Sequence, residues 1–350
     1  MAGDIAYCKF CEVDLGDAFF DSLRESYNGF DDWFRRKGDE YAYVLNDEQG
    51  VQAFLYLKEE LGVVKDVVPP LNTKRCLKVG TFKINAHGTK LGERFVKKKN
   101  DHAIVTGKEC IYVTVISEHR SLIRILERYG FLEYGKKVTI SGVELVFVKD
   151  FTKMTGDALS DYPVVNAIDR NVWLMSIYPQ WHTKLFPDSI LHTEDASIVE
   201  DISHTNSIHK AYIGWMDGMR RVNSGDVVVI YRAVGNSGRP WFESVISSLC
   251  VVSDNVRIGS YKSFDDFKNE AVRYSVFTEH DLHSYYNAKP NGRLIKMTYN
   301  VALPKRLNMK SLVEDVGMRR SDYWGFREIT KEQFQTILEL SNVPMSAVLV

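Results

Sequence analysis

Apolar and polar positions alternate over residues 4–14 (DIAYCKFCEVD) with the period of a half-buried strand, which predicts a first β-strand. The next stretch, AFFDSLRESYNGFDDWFRRKG, returns apolar side chains at helical spacing, with Phe19, Leu23, Phe30 and Trp33 on recurring faces. Two further runs, EYAYVLN and VQAFLYLKEE, flank Asp47-Glu48-Gln49-Gly50, which has the chemistry of a hairpin turn. A buried-type strand over Cys76–Ile84 leads into HGTKLGERFVKKK, a glycine-containing turn that opens a helix with Leu91, Phe95 and Val96 inward. Strand 111–116, helix 119–129 and the pair LEYGKKVTI and VELVFVKDF complete the order β-α-β-β-β-α-β-α-β-β. The pattern predicts a domain over residues 1–150.

Residues 151–170 (FTKMTGDALSDYPVVNAIDR) are polar, rich in turn formers and without periodicity, which predicts a linker. From 171 to 350 the pattern becomes short strands with long connections: 173–178, 211–216, 226–234, 244–252 and 294–303. Two helices interrupt them. Ser263 can cap SFDDFKNEAVRYS, whose Phe264, Phe267 and Ala271 share a face. Thr330 and Gln333 form a capping box ahead of Phe334, Ile337 and Leu338. The whole is a two-domain chain of class α+β / α/β.

Composition narrows the function classes. Hydrophobic content of 45% and charged content of 26% suit a globular protein, and the formal net charge of −1 gives the chain no overall attraction for nucleic acid. Any basic surface is therefore local. No apolar run approaches the roughly 18 residues of a membrane helix, and the N-terminal residues do not read as a secretory signal, so a cytoplasmic location is expected. Five cysteines at irregular spacing do not read as a disulfide framework. Cys8 and Cys11 form a C-x-x-C that no second pair or nearby histidine completes, and His280/His283 have no third ligand by spacing; no metal is expected.

The most informative chemistry lies where the strand ending at Ile84 turns through His87-Gly88-Thr89-Lys90-Leu91-Gly92 into a helix. Unpaired N–H groups and partial positive charge make a helix start a seat for pyrophosphate, and glycine lets phosphate oxygens approach the backbone. This segment resembles the acyl-CoA loop of the GNAT superfamily, (Q/R)-x-x-G-x-(G/A). His87 stands in place of Gln or Arg and Lys90 in place of the middle glycine, and Gly92 matches the last position. YVTVISEHRSLIRILERYGFLEYG resembles the family's fifth strand and fourth helix, with Gly130-Phe131 as marker.

The resemblance covers residues 4–149. It implies a mixed, mostly antiparallel sheet splayed between its fourth and fifth strands, with acetyl-CoA as co-substrate. Phe82, Lys83 and Ile84 would align the pantetheine, His87–Gly92 the pyrophosphate, and His119 would touch the cofactor. Leu126 stands where the family often has a tyrosine acid; His119 and Glu118, at the end of the fifth strand, are candidate proton carriers, with a solvated helix cap as the alternative role.

Residues 171–340, with WLMSIYPQWHTKLFP at their head and GDVVVIYRA in their middle, resemble the PUA-like superfamily that includes ASCH and EVE domains. That implies a β-barrel with helices, and RNA as a partner. Stacking aromatics and phosphate-binding arginines are what such a partner requires, and Trp173, Trp181, Arg220, Arg221, Arg319 and Arg320 are the candidates. The combined expectation is an N-acetyltransferase directed to RNA, charged tRNA or a ribonucleoprotein, with a toxin-like activity on charged tRNA in view. Two alternatives stand beside it: a protein or small-molecule N-acetyltransferase with a docking barrel, and a module that binds acyl-CoA without transfer.

Overall fold

The computed structural model describes residues 5–85, 91–139, 142–186, 208–234 and 238–350. By its internal contacts the chain divides into two compact units, residues 1–153 and 154–350. Among the described residues no helix is long and apolar enough to cross a membrane.

The first unit contains β1 (Ile5–Lys9), α1 (Asp21–Ser26), α2 (Phe30–Arg36), β2 (Tyr41–Asp47), β3 (Gly50–Val64), β4 (Leu71–Ile84), α3 (Leu91–Val105), β5 (Cys110–Ile116), α4 (Arg120–Arg128), β6 (Leu132–Thr139) and β7 (Gly142–Asp150). Seven strands form one sheet in the order β1-β2-β3-β4-β5-β7-β6. Among its described pairs only β4–β5 is parallel, because α3 carries the chain back to the start of the sheet. The β2–β3 hairpin turns where the sequence predicts: Asp47 pairs with Gly50, and the Asp47 carboxylate accepts the Gln49 N–H at 2.8 Å. Gly50 has φ +100°, and a side chain there would meet the Asp17 carboxylate.

Two local expectations change. The first strand ends at Lys9, and Phe10–Glu12 form a 3-10 turn. The helical stretch is broken in two at Gly29, whose φ of +76° no continuous helix contains. The break lets Phe20, Phe30 and Phe34 gather with Phe10 and Phe54 in one aromatic core. Leu91, Phe95 and Val96 on α3 are buried, as their spacing predicts.

The second unit contains β8 (Val165–Asn166), β9 (Val172–Ile177), α5 (Pro179–Leu185), β10 (His209–Gly214), β11 (Val227–Arg232), α6 (Pro240–Glu243), β12 (Val245–Arg257), α7 (Phe264–Val272), α8 (Glu279–Ala288), β13 (Arg293–Ala302), α9 (Met309–Glu314), β14 (Phe326–Ile329), α10 (Lys331–Leu340) and β15 (Val348–Leu349). Its main sheet runs β10-β13-β12-β11-β9-β14, and β8 pairs with β15. The sheet is open. Among the described residues no ladder joins its edge strands β10 and β14, so the expected closed barrel is not formed by strand pairing. The sheet curls nonetheless: a Cβ on Gly218, in the 3-10 turn after β10, would lie 2.8 Å from the Phe326 ring of β14. One core joins Tyr212 of β10 to Phe326.

Residues 154–170, whose polarity reads as a linker, pack within this second unit. Tyr162, Val164 and Val165 are buried, and the Asp161 carboxylate accepts the N–H groups of Thr155 and Gly156. The polar residues make local turn bonds there rather than leaving the chain loose.

Candidate functional site

The β4–β5 ladder begins at Cys76↔Cys110 and ends at Val79↔Val113. Both strands continue, β4 to Ile84 and β5 to Ile116, without pairing to each other. At the point of divergence β4 carries an extra residue: Leu57 of β3 pairs with Val79 and Tyr56 with Thr81, so Gly80 bulges. The Tyr56 ring lies where a Gly80 side chain would start, 2.5 Å from an ideal Cβ, so this close approach requires glycine.

The divergence opens a cleft of about 1310 Å³. Val79–Asn85 form one wall and Val113–Ile116 with the start of α4 the other, while Tyr27 and Trp33 close it from the α1–α2 side. Unsatisfied strand-edge N–H and C=O groups along such an opening are donors and acceptors for an extended amide-bearing chain.

Of the residues expected to hold acetyl-CoA, Phe82, Lys83, Ile84, Leu91 and Gly92 line the cleft. His87, Gly88, Thr89 and Lys90 lie outside the described residues. Lys83 contributes backbone rather than charge, because its ammonium donates to the Phe19 carbonyl and the Ser22 hydroxyl and so ties α1 over the cleft. A Cβ on Gly92 would sit 3.3 Å from Ile125 of α4, so α3 and α4 meet closely at this corner.

Glu118 and His119 line the cleft at the exposed start of α4, where His119 is the N-cap residue without a side-chain cap bond. Leu126 is buried.

The groups that sequence spacing missed come from distant segments. Tyr27 faces the cleft half-buried, with its phenol held above the ordinary value by burial and by the nearby Glu144. The Tyr56 phenol is pushed up by burial and by its hydrogen bond to Glu40. Glu144 lines the same end of the cleft on β7, paired with Ile116 of β5. No local motif marks these residues, since each is a single polar position in an otherwise ordinary element.

In the second unit the candidates separate. Trp173 belongs to the core: it is 1% exposed, stacks on Phe326 at 5.3 Å and donates from Nε1 to Asp226 at 2.9 Å. It has no free face for a base. Trp181 is half-buried against Phe277 at 4.9 Å. Both arginine pairs are exposed and border β14. Arg221 lies 3.9 Å from Glu328, and Arg319 lies 3.4 Å from Asp322, which binds Arg327 at 2.6 Å. Arg220 pairs with Asp217, and Arg320 sits 5.0 Å over the Trp241 ring. The rings exposed here include Tyr178, Trp215, Phe242 and Tyr323. Among the described residues no three His, Cys, Asp or Glu side chains are placed to share a metal ion.

No protein-family model matches the chain, and no curated protein matches it. Solved structures similar to it include both GNAT acetyltransferases and ASCH proteins. A mutant of the ASCH protein of Zymomonas mobilis is 11% identical, over 49% of this chain and 97% of its own, with a TM-score of 0.34. A GNAT-family acetyltransferase from Streptococcus agalactiae 2603 is 14% identical, over 37% and 78%, with a TM-score of 0.29. Ard1 from Thermoplasma volcanium is 13% identical, over 43% and 98%, with a TM-score of 0.33.

Proposed function

We propose that the first unit is an acyl-CoA-dependent N-acyltransferase of GNAT type, with acetyl-CoA as co-substrate in the β4–β5 opening. The observation that carries this reading is the parallel ladder that stops at Val79↔Val113 and opens a cleft beside the start of α3. In this reading the backbone of Gly80–Ile84 aligns the pantetheine amides, and the corner at Leu91-Gly92 receives the pyrophosphate. Transfer joins an acceptor amine to the thioester carbonyl carbon, breaks the carbon–sulfur bond and moves the amine's proton to the departing thiolate. Backbone N–H groups at the bulge are suited to polarise the carbonyl. Glu144, opposite Ile116 in the β5–β7 ladder, or Glu118 and His119 just beyond it, carry the proton.

Calorimetry with acetyl-CoA tests the reading. Micromolar binding is expected, with a loss of at least about tenfold in Gly92→Glu, whose carboxylate repels pyrophosphate. Unchanged affinity in a folded Gly92→Glu chain removes acyl-CoA from this corner. The buried Leu126 favours one second reading, an acyl-CoA-binding module without turnover. Binding without CoA release would select it.

The second unit directs the transferase to RNA, charged tRNA or a ribonucleoprotein, and a toxin-like action on charged tRNA is one form of this activity. Support comes from the two arginine pairs beside β14 and from exposed rings suited to stacking. Fluorescence anisotropy with tRNA across salt concentrations tests it: Arg220→Ala/Arg221→Ala should flatten the salt slope by about one unit per lost phosphate contact. Absence of binding at low salt would leave this unit as a docking module.

A further inference from the structure

The inner end of the cleft holds an arrangement that sheet stability alone disfavours. Lys58 of β3 and Lys78 of β4 are directly paired across the antiparallel ladder, and both line the cleft. Like charges directly opposite in a sheet repel. A third lysine joins them. The β3–β4 connection folds back onto β6, where Val68 and Lys136 exchange backbone hydrogen bonds of 2.8 and 2.9 Å, and this brings Lys137 into the same cleft wall.

Three carboxylates stand among these lysines, and Glu144 faces Lys137 across the β6–β7 ladder. Glu60 is shared: it lies 3.4 Å from Lys58 and 3.7 Å from Lys78, and accepts the Tyr112 hydroxyl at 2.7 Å. Asp66 is taken up by Lys137 at 2.6 Å. The Lys78 and Lys137 side chains are each only 19% exposed, so water does little of the remaining neutralisation. Lys78 registers the crowding of like charges, since burial and the nearby Lys137 draw its ammonium below the ordinary lysine range.

We propose that this lysine triad is the subsite for a phosphate carried by the acyl acceptor, so that the acceptor is an amine on a phosphorylated molecule. This rests on the transferase reading of the cleft. The three ammonium groups line one end of one cleft, and the oxygens of a phosphate seated there can accept from them. Lys78 precedes the Gly80 bulge by two residues, about 7 Å along the strand, so the amine lies only a few bonds from the phosphate.

The test uses the full chain loaded with CoA and titrates O-phosphoethanolamine against ethanolamine by calorimetry. The phosphorylated amine should bind at least about tenfold more tightly, and Lys78→Gln and Lys137→Gln should each remove most of that difference while CoA affinity stays constant. Equal binding of the two amines, or a preference that survives both substitutions, overturns the proposal and leaves the transferase reading intact. If CoA itself does not bind, that reading fails, and the same two titrations on the unloaded chain still decide the phosphate subsite. A thermal readout guards against misfolding: Lys78→Gln should melt no lower than wild type, because it removes a repulsion, and inorganic phosphate should raise the wild-type midpoint more than the variant's. A lower midpoint for Lys78→Gln, or equal shifts with phosphate, counts against the triad. Displacement of O-phosphoethanolamine by charged tRNA identifies a phosphodiester as the source; retention identifies a small phosphorylated amine.

Discussion

Among the described residues the main sheet of each unit contains one parallel strand pair, and the two pairs are built differently. In the second unit β9 and β11 pair along their whole length, Val172↔Val227 to Ile177↔Arg232, and nearly every side chain on them is buried. In the first, β4 and β5 pair over four residues and then part. The same β-rich sequence character thus gives a core in one sheet and a cleft in the other. The difference lies in small local features: a bulge at Gly80 under Tyr56, and a helix delivered to the gap. A completed ladder carries stability; an interrupted one leaves backbone groups for a ligand.

The comparison breaks most sharply at Trp173. Trp173→Ala should cost about 3–5 kcal/mol, since it empties a ring-sized volume and removes the indole donor from Asp226. Urea titration would show it, and a loss under about 1 kcal/mol would mean the pair is not the core it resembles.

At the interrupted pair, Gly80→Ala forces a methyl group onto the Tyr56 ring. It should lower stability by about 1–3 kcal/mol and acetyl-CoA affinity by about tenfold. A stability loss with unchanged affinity would move the ligand elsewhere.

The smallest effect sharpens the account of the second unit. His182 is buried with Nε2 2.7 Å from the Ser247 hydroxyl, and burial with the nearby Arg232 and Arg306 pushes its pKa down to about 3. Between that value and the usual histidine range near 6.5, the unfolded chain binds a proton that the folded chain refuses. Stability is therefore complete above about pH 6.5 and falls on acidification, by up to about 1.4 kcal/mol per pH unit. Urea midpoints from pH 7 to 5 should trace this slope, and His182→Asn should flatten it.

Much of the framework was legible in the chain. Alternation located the main strands of both sheets, Asp47–Gly50 specified a hairpin, and Thr330 and Gln333 exchange the two bonds their spacing implies. These are local signals, set by residues within a few positions of one another. What was illegible is what distant contacts decide. Nothing around Trp173 distinguishes a buried ring from an exposed one, and the polarity of residues 154–170 hides the turn bonds that hold them to the second unit. The cleft is the extreme case: Tyr27, Lys58, Lys78, Lys137 and Glu144 come from five separate segments, and only the fold makes them neighbours.

The central claim is that acyl-CoA lies along β4 beyond Val79, where β5 no longer pairs with it. Amide hydrogen exchange of the intact chain, with and without saturating acetyl-CoA, addresses it residue by residue. The account predicts slowed exchange at the amides of Gly80–Ile84 and at Leu91-Gly92, with the fully paired β9–β11 ladder unchanged. Bound acetyl-CoA that leaves Gly80–Ile84 exchanging as before would contradict it.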